Sequence, residues 1–371
     1  MNQSVNGPTG PQSENDYEYV IIGAGLSGLT CAMLLVEAGR SVRVLEARDS
    51  PGGRIQSVFD TETKTYLADL GPTWIWPAYQ PVVARWINRL GLATYDQFDT
   101  GEAILDYGPD RAPVRRFLPG QDGSVRPVGG SQALIDELLN RLPEDTLATS
   151  SHVRSVAAVP NGLALGTDDG VIKCGRLIVA APPRIAVKTI NWQPNLSQNL
   201  IKELNATPTW MAPHAKAVAV YDRAFWRDMG LSGRIASQSG PMVEAHDHSG
   251  AQGSPAALFG FIGWPHTMRS EAGPKLEAAV RDQLSRCFGP DTPSPRSVHI
   301  EDWAGNPLVT SPQDLTGPMA HPQVGPGILR DAHGQGRVRF AGSETAHRSP
   351  GLIEGAFDAA EQTVAAFLSA D

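Results

Sequence analysis

The most constraining feature of the chain is a β-branched run, Tyr19-Val20-Ile21-Ile22, leading directly into Gly23-Ala24-Gly25-Leu26-Ser27-Gly28. After these glycines Leu29, Ala32, Met33 and Val36 recur at helical spacing, and Gly39 marks where that helix stops. Val42 and Val44 then alternate with Arg43 in a second predicted strand that ends at Glu46. Strand, glycine turn, helix and strand within about 30 residues make a βαβ unit, the setting in which a GxGxxG pattern carries weight.

The physical reading of that unit is dinucleotide binding. Gly23 and Gly25 permit a tight turn and bring backbone N–H groups against a pyrophosphate, while Gly28 lets the helix lie close to the strand. The helix N-terminus adds partial positive charge. Glu46 follows Gly28 by 18 residues, placed to accept hydrogen bonds from ribose hydroxyls, which disfavours a 2′-phosphate. The competing reading is a glycine-rich turn of an ordinary α/β domain.

Farther along, the chain offers more strands. His152 to Leu165 shows two alternating stretches around Asn161-Gly162, a hairpin signature. Val171 to Ala181 reads as a strand, a turn and a buried strand ending at Pro182-Pro183. Near the end, Arg337 to Phe340 reads as a strand and Gly342-Ser343-Glu344 as a loop. A helix follows with Ile353, Phe357, Ala360, Val364 and Phe367 on one face. The layout predicted is an α/β fold: one dinucleotide domain in three pieces (17–75, 150–190 and 335–371), interleaved with a pocket-shaping domain over 76–149 and 191–334. Residues 1–16 are polar, lack the basic-then-apolar order of a secretory signal, and are expected to be a floppy tail.

Composition narrows the function classes. The 371 residues carry a net charge of −8 with no block of five or more Lys/Arg, which argues against nucleic acid or an anionic membrane surface as partner. No apolar run approaches the roughly 18 residues of a membrane-spanning helix. Three distant cysteines, Cys31, Cys174 and Cys287, support neither a disulfide framework nor a cysteine metal site, and a reducing cytoplasm fits them best. His246 and His248 bracket Asp247, too little for a metal site, so none is expected.

Five residues past Glu46 a second glycine turn, Pro51-Gly52-Gly53-Arg54, follows. Leu45 to Arg54 (LEARDSPGGR) resembles the LEA-R-x-x-x-GGR signature of the flavin-containing amine oxidase family. Phe340 to Thr345 (FAGSET) and Glu354-Gly355-Ala356 are similar to that family's C-terminal motifs. Asp69 to Trp74 (DLGPTW) resembles its turn against the flavin ring, and Pro213 to Tyr221, followed by Phe225-Trp226, resembles its lysine-bearing strand.

The resemblance implies a monoamine oxidase-like fold, an FAD-binding Rossmann-like domain with an α+β substrate domain. FAD would be held by Gly23, Gly25, Ser27, Gly28, Glu46, Arg48, Gly53 and Arg54, then Gly71, Thr73 and Trp74 along the flavin. Val153 would lie near the adenine, with Gly342, Ser343, Glu344, Leu352 and Ile353 on the returning segment. Lys216, facing the same side as Val218 and Val220, would reach the flavin N5 through a water, and Trp303 would lie beside the flavin. The reaction implied is hydride removal from the carbon next to an amine nitrogen. It gives an imine, then carbonyl plus ammonia or amine, with oxygen as acceptor and hydrogen peroxide as product.

Departures from the family pattern refine this. Thr316 to His321 holds no cysteine where animal monoamine oxidases tether the flavin, so FAD is expected to be non-covalent. The two positions of the family's aromatic pair are expected to be Ala320 and Leu352, neither aromatic. Trp74 stands where amino acid oxidases commonly carry a carboxylate-binding arginine, so amines are expected to be preferred to α-amino acids. A desaturase of the same fold acting on an apolar substrate, or a flavin-binding protein without turnover, remain open from sequence.

Overall fold

In the computed structural model, which describes residues 15–317 and 321–370, the Tyr17–Ile22 strand lies within an eight-stranded sheet. Its neighbours run parallel to it: Tyr19 sits beside Val42 on one side and Arg176 on the other. The Leu26–Glu37 helix returns across this sheet and packs against the C-terminal Ile353–Leu368 helix. Leu29, Ala32, Met33 and Leu35 are all 1% exposed or less, so the helix is covered on most sides and has little need of a polar face. It ends at Ala38 and Gly39, whose φ of 73° turns the chain back toward the sheet.

The hairpin at Asn161-Gly162 forms as expected, Val153–Val159 pairing antiparallel with Gly162–Thr167. The turn expected between two strands in Val171 to Ala181 does not form. Gly170–Val179 is one continuous strand that changes its pairing near Cys174. Its first half is antiparallel to Gly162–Thr167; its second half is parallel to Tyr17–Ile22 on one edge and to Val338–Phe340 on the other. Gly175 suits the crowded crossover, since a Cβ there would come within 3.1 Å of the Glu18 carbonyl.

Short strands at Leu147–Ala148 and Asn191–Gln193 lie at the two ends of this sheet's strand order. Helices Pro81–Leu90 and Gln132–Leu139 bury Val83, Trp86, Leu134 and Leu138 in the same core as the Leu26–Glu37 helix.

A second, seven-stranded sheet has Ala215–Tyr221 between Ser297–Asp302 and Ala256–Ile262, antiparallel to both. Ala215, Ala217, Ala219 and Tyr221 enter a core with Phe225, Trp226 and the Lys275–Phe288 helix. Val218 and Val220 enter another core with Leu67, Leu70 and Phe259. Both faces of the strand are therefore covered, and Lys216 lies on the second of them by alternation.

Of the tail expected over 1–16, residues 1–14 lie outside the described residues. Asp16 is not part of a tail: its N–H donates to Lys173 O at 3.0 Å and its carboxylate accepts from Lys173 N at 2.8 Å. Among the described residues, no helix is long and apolar enough to cross a membrane.

Candidate active site

At the carboxyl ends of the parallel strands the chain opens into a cleft of about 1120 Å³. Gly23 has a φ of 100°, and a Cβ on Gly28 would lie 2.0 Å from the Gly23 carbonyl oxygen, so the turn and the helix start require glycine at both positions. The second glycine turn closes over the first through a bridge between Gly25 and Gly52, and a Cβ on Gly53 would stand 3.1 Å from Gly25 Cα. The result is a cradle of bare backbone at a helix N-terminus.

Glu46 forms the cleft wall just past its strand. Its carboxylate accepts from Ala24 N at 2.7 Å and Arg48 N at 3.0 Å and retains lone pairs for hydroxyl donors. Arg48 donates to Gly53 O at 3.0 Å, and Ser27 Oγ donates to Ala341 O. Bare glycine backbone for a diphosphate and a free-sided carboxylate for a ribose fit the dinucleotide part of FAD.

Arg54 occupies the corner where this cleft meets a second cavity of about 1090 Å³. Its guanidinium forms a bidentate pair with Glu344, at 2.6 and 3.0 Å, and also donates to Ser343 Oγ at 2.9 Å. Burial works to raise the pKa of Glu344, but the charge and hydrogen bonds of Arg54 win and hold it below the usual carboxylate range. Trp210 N donates to the same carboxylate at 3.2 Å, fixing the loop that carries Trp210.

Lys216 projects into the second cavity, 4% exposed. Nζ donates to Gly71 O at 2.8 Å and to Thr73 Oγ1, and lies 4.1 Å from the centre of the Phe259 ring. Burial pushes its pKa down to about 7, against the raising effect of the Asp69 carboxylate. Phe261, the direct partner of Lys216 across the strand pair, shares its face. Trp303 lines the same cavity, its backbone N–H donating to His214 O at 3.1 Å.

The structure distributes the residues singled out in the sequence as follows. Gly23, Gly25, Ser27, Glu46, Arg48, Gly53, Val153 and Ser343 line the first cleft; Gly71, Thr73, Trp74, Lys216 and Trp303 line the second; Arg54, Leu352 and Ile353 line both. Gly28, Gly342 and Glu344 line neither: Gly28 serves close packing, and Glu344 is buried behind Arg54. Ala320 lies outside the described residues.

Further aromatic and cationic side chains also separate. Trp76 lines the second cavity, while Tyr79 is 81% exposed and Trp264 packs on the core of the second sheet. Arg85 pairs with Glu361, and Arg115 and Arg116 sit on the Val114–Arg116 edge strand, so none of the three supplies a cation to the cavity. Sequence reasoning missed Trp210, Met211, His214 and Gln80, which also line it. Trp210 reaches the site because Gly351 leaves room: a Cβ there would lie 2.5 Å from Trp210 Cβ. Nothing in the local sequence announces that contact.

Comparison with known proteins agrees with this geometry. The profile of the family described as flavin containing amine oxidoreductase matches residues 26–119 and 112–368. A probable flavin-containing monoamine oxidase A from Dictyostelium discoideum is 23% identical, the match covering 92% of this chain and 95% of that protein. A putrescine oxidase from Kocuria rosea is 40% identical over 133 residues, 35% of this chain and 27% of that one. Among solved structures, cyclohexylamine oxidase from Brevibacterium oxydans IH-35A superposes with a TM-score of 0.79 at 19% identity, covering 96% of this chain and 99% of that one. That likeness concerns the fold; the profile match extends over nearly the whole chain. The chain belongs to the flavin containing amine oxidoreductase family, as an FAD-dependent enzyme that oxidises amines.

Proposed function

We propose that this enzyme oxidises monoamines with an apolar substituent, discriminates against α-amino acids, and passes the electrons to dioxygen to give hydrogen peroxide. FAD, when bound, supplies the two-electron acceptor for the carbon–nitrogen bond. The observation that carries the substrate reading is the wall chemistry of the second cavity. Its described lining includes Trp74, Trp76, Trp210, Phe261 and Trp303 and no carboxylate, and its one guanidinium, Arg54, is already paired with Glu344. The aromatic walls exclude water and orient an apolar substituent. A substrate carboxylate placed there would be desolvated, with no free guanidinium to bind it bidentately and with the one other cation, Lys216, already held by Gly71 O and Thr73 Oγ1.

Lys216 is proposed to serve the oxygen side of the cycle. Its charged form places a positive group, held by Gly71 O and Thr73 Oγ1, beside the place where negative charge develops on dioxygen as it takes up electrons. Trp303 is proposed to close one wall beside the flavin. Arg48 is proposed to face the diphosphate, with Val153 near the adenine. Cys31, Cys174 and Cys287 are free and buried and line neither cavity, which supports a non-covalent cofactor and suits a reducing cytoplasm.

The test is kcat/KM, by peroxide release, for matched pairs such as phenethylamine and phenylalanine. The amine should be favoured by on the order of a hundredfold or more, from the desolvation of a carboxylate that costs several kcal/mol. Equal or greater turnover of the amino acid contradicts the reading.

A further inference from the structure

Behind the turn that gives Lys216 its two acceptors lies a buried set of charges that the proposed reaction does not use. Asp69, two residues before Gly71, is 0% exposed. Its carboxylate accepts from Ser57 Oγ at 2.5 Å, Tyr66 Oη at 2.9 Å, and the N–H and Oγ of Ser131, both at 3.1 Å. Its own N–H donates to His248 Nε2 at 2.8 Å. Arg126, 1% exposed, stacks 4.8 Å over the Tyr95 ring and donates to Ser249 O, while its Nε and Nη1 have no protein partner. Lys216 and His248 meet on one aromatic ring: Nζ lies 4.1 Å from the Phe259 centroid, and the imidazole stands edge-on to it at 5.2 Å.

We propose that Asp69 and Arg126 are positioning residues for Lys216: the carboxylate favours its charged form, the guanidinium opposes it, and their balance sets the pH range in which the lysine acts. This deepens, and rests on, the reading that Lys216 serves the oxygen step. The other ionisable groups on the surrounding elements have hydrogen-bond or ion-pair partners of their own. Asp247 is held by Arg227 at 2.8 and 2.9 Å, and Asp302 by Arg269 and His266. Glu301, opposite Lys216 on the paired strand, accepts from Gln56 Nε2 at 3.0 Å. His246 stacks on Phe259 and lies 3.4 Å from Glu244.

Tyr66, Tyr95, His248 and His214 stay neutral near pH 7. Burial raises the pKa of both Tyr66 and Tyr95. Burial, with Arg126 next, pushes His248 down to about 4; His214 is also lowered by burial and by Arg269. Asp69 stays ionised because His248, Ser57 and Lys216 outweigh the raising effect of its burial. Asp69 and Arg126 therefore remain as the two fixed charges acting on Lys216, and burial leaves the lysine at about 7, where either can tip it.

The signs are opposite and can be tested directly. The chain has six lysines, so isotopic labelling of lysine in the flavin-loaded protein gives few side-chain resonances, and K216M assigns the one of interest. Its titration midpoint should fall in D69N and rise in R126Q, each by on the order of one unit, and stay near the original in R126K. The pH at which reoxidation by oxygen falls off should move with it. Shifts of the same sign in D69N and R126Q, or an unmoved midpoint in R126Q, overturn the proposal. Should D69N not fold, R126Q against R126K decides alone. Midpoints that move as stated while oxygen rates do not follow leave the charge pair standing and refute the role of Lys216 in the oxygen step.

Discussion

At the scale of single residues the site is organised by two cations with different fates, the half-buried Arg54 and the buried Lys216. Arg54 is neutralised in place by Glu344, whose side chain is 0% exposed, whereas Lys216 has only neutral oxygen acceptors. Arg54→Met should leave Glu344 buried without its partner and lower stability by about 3–5 kcal/mol, read by urea denaturation. The double variant R54M/E344M should recover part of that loss; additive losses contradict the pairing. Lys216 was legible in the sequence because strand alternation puts it with Val218 and Val220, both buried. The task of Glu344 was not, because its partner lies 290 residues away and a motif names a residue without saying what it touches.

At the scale of elements, the βαβ unit depends on close approach rather than on helix propensity. Alanine is the better helix former by about 1 kcal/mol, yet a Cβ at position 28 would lie 2.0 Å from a backbone oxygen that the turn cannot move. Gly28→Ala should therefore lower both the melting temperature and the flavin-to-protein absorbance ratio; normal flavin content with an unchanged melt would show that the helix can shift. The first strand, its helix, the second strand and the hairpin were readable because period and turn residues are local. Gly170–Val179 was not, since Gly175 looks like a turn until its change of partners is known. The same reason hid Trp210, which is placed by Gly351 and by its N–H to Glu344.

Across the whole molecule, two sheets with separate cores meet at a pair of cavities joined by Arg54, Pro72, Gly351, Leu352 and Ile353. The two cavities thus share part of their walls, and no free thiol lines either. Acid precipitation of the yellow protein should leave FAD in the supernatant; flavin retained in the pellet would refute non-covalent binding. In the proposed cycle the aromatic walls serve the amine and Lys216, in the same cavity, serves oxygen. The most direct test is stopped-flow measurement of both half-reactions in the wild type and Lys216→Met. Anaerobic reduction by an amine should change little, while reoxidation by oxygen should slow by on the order of a hundredfold. Unchanged rates in both half-reactions would show that Lys216 only fills its cavity.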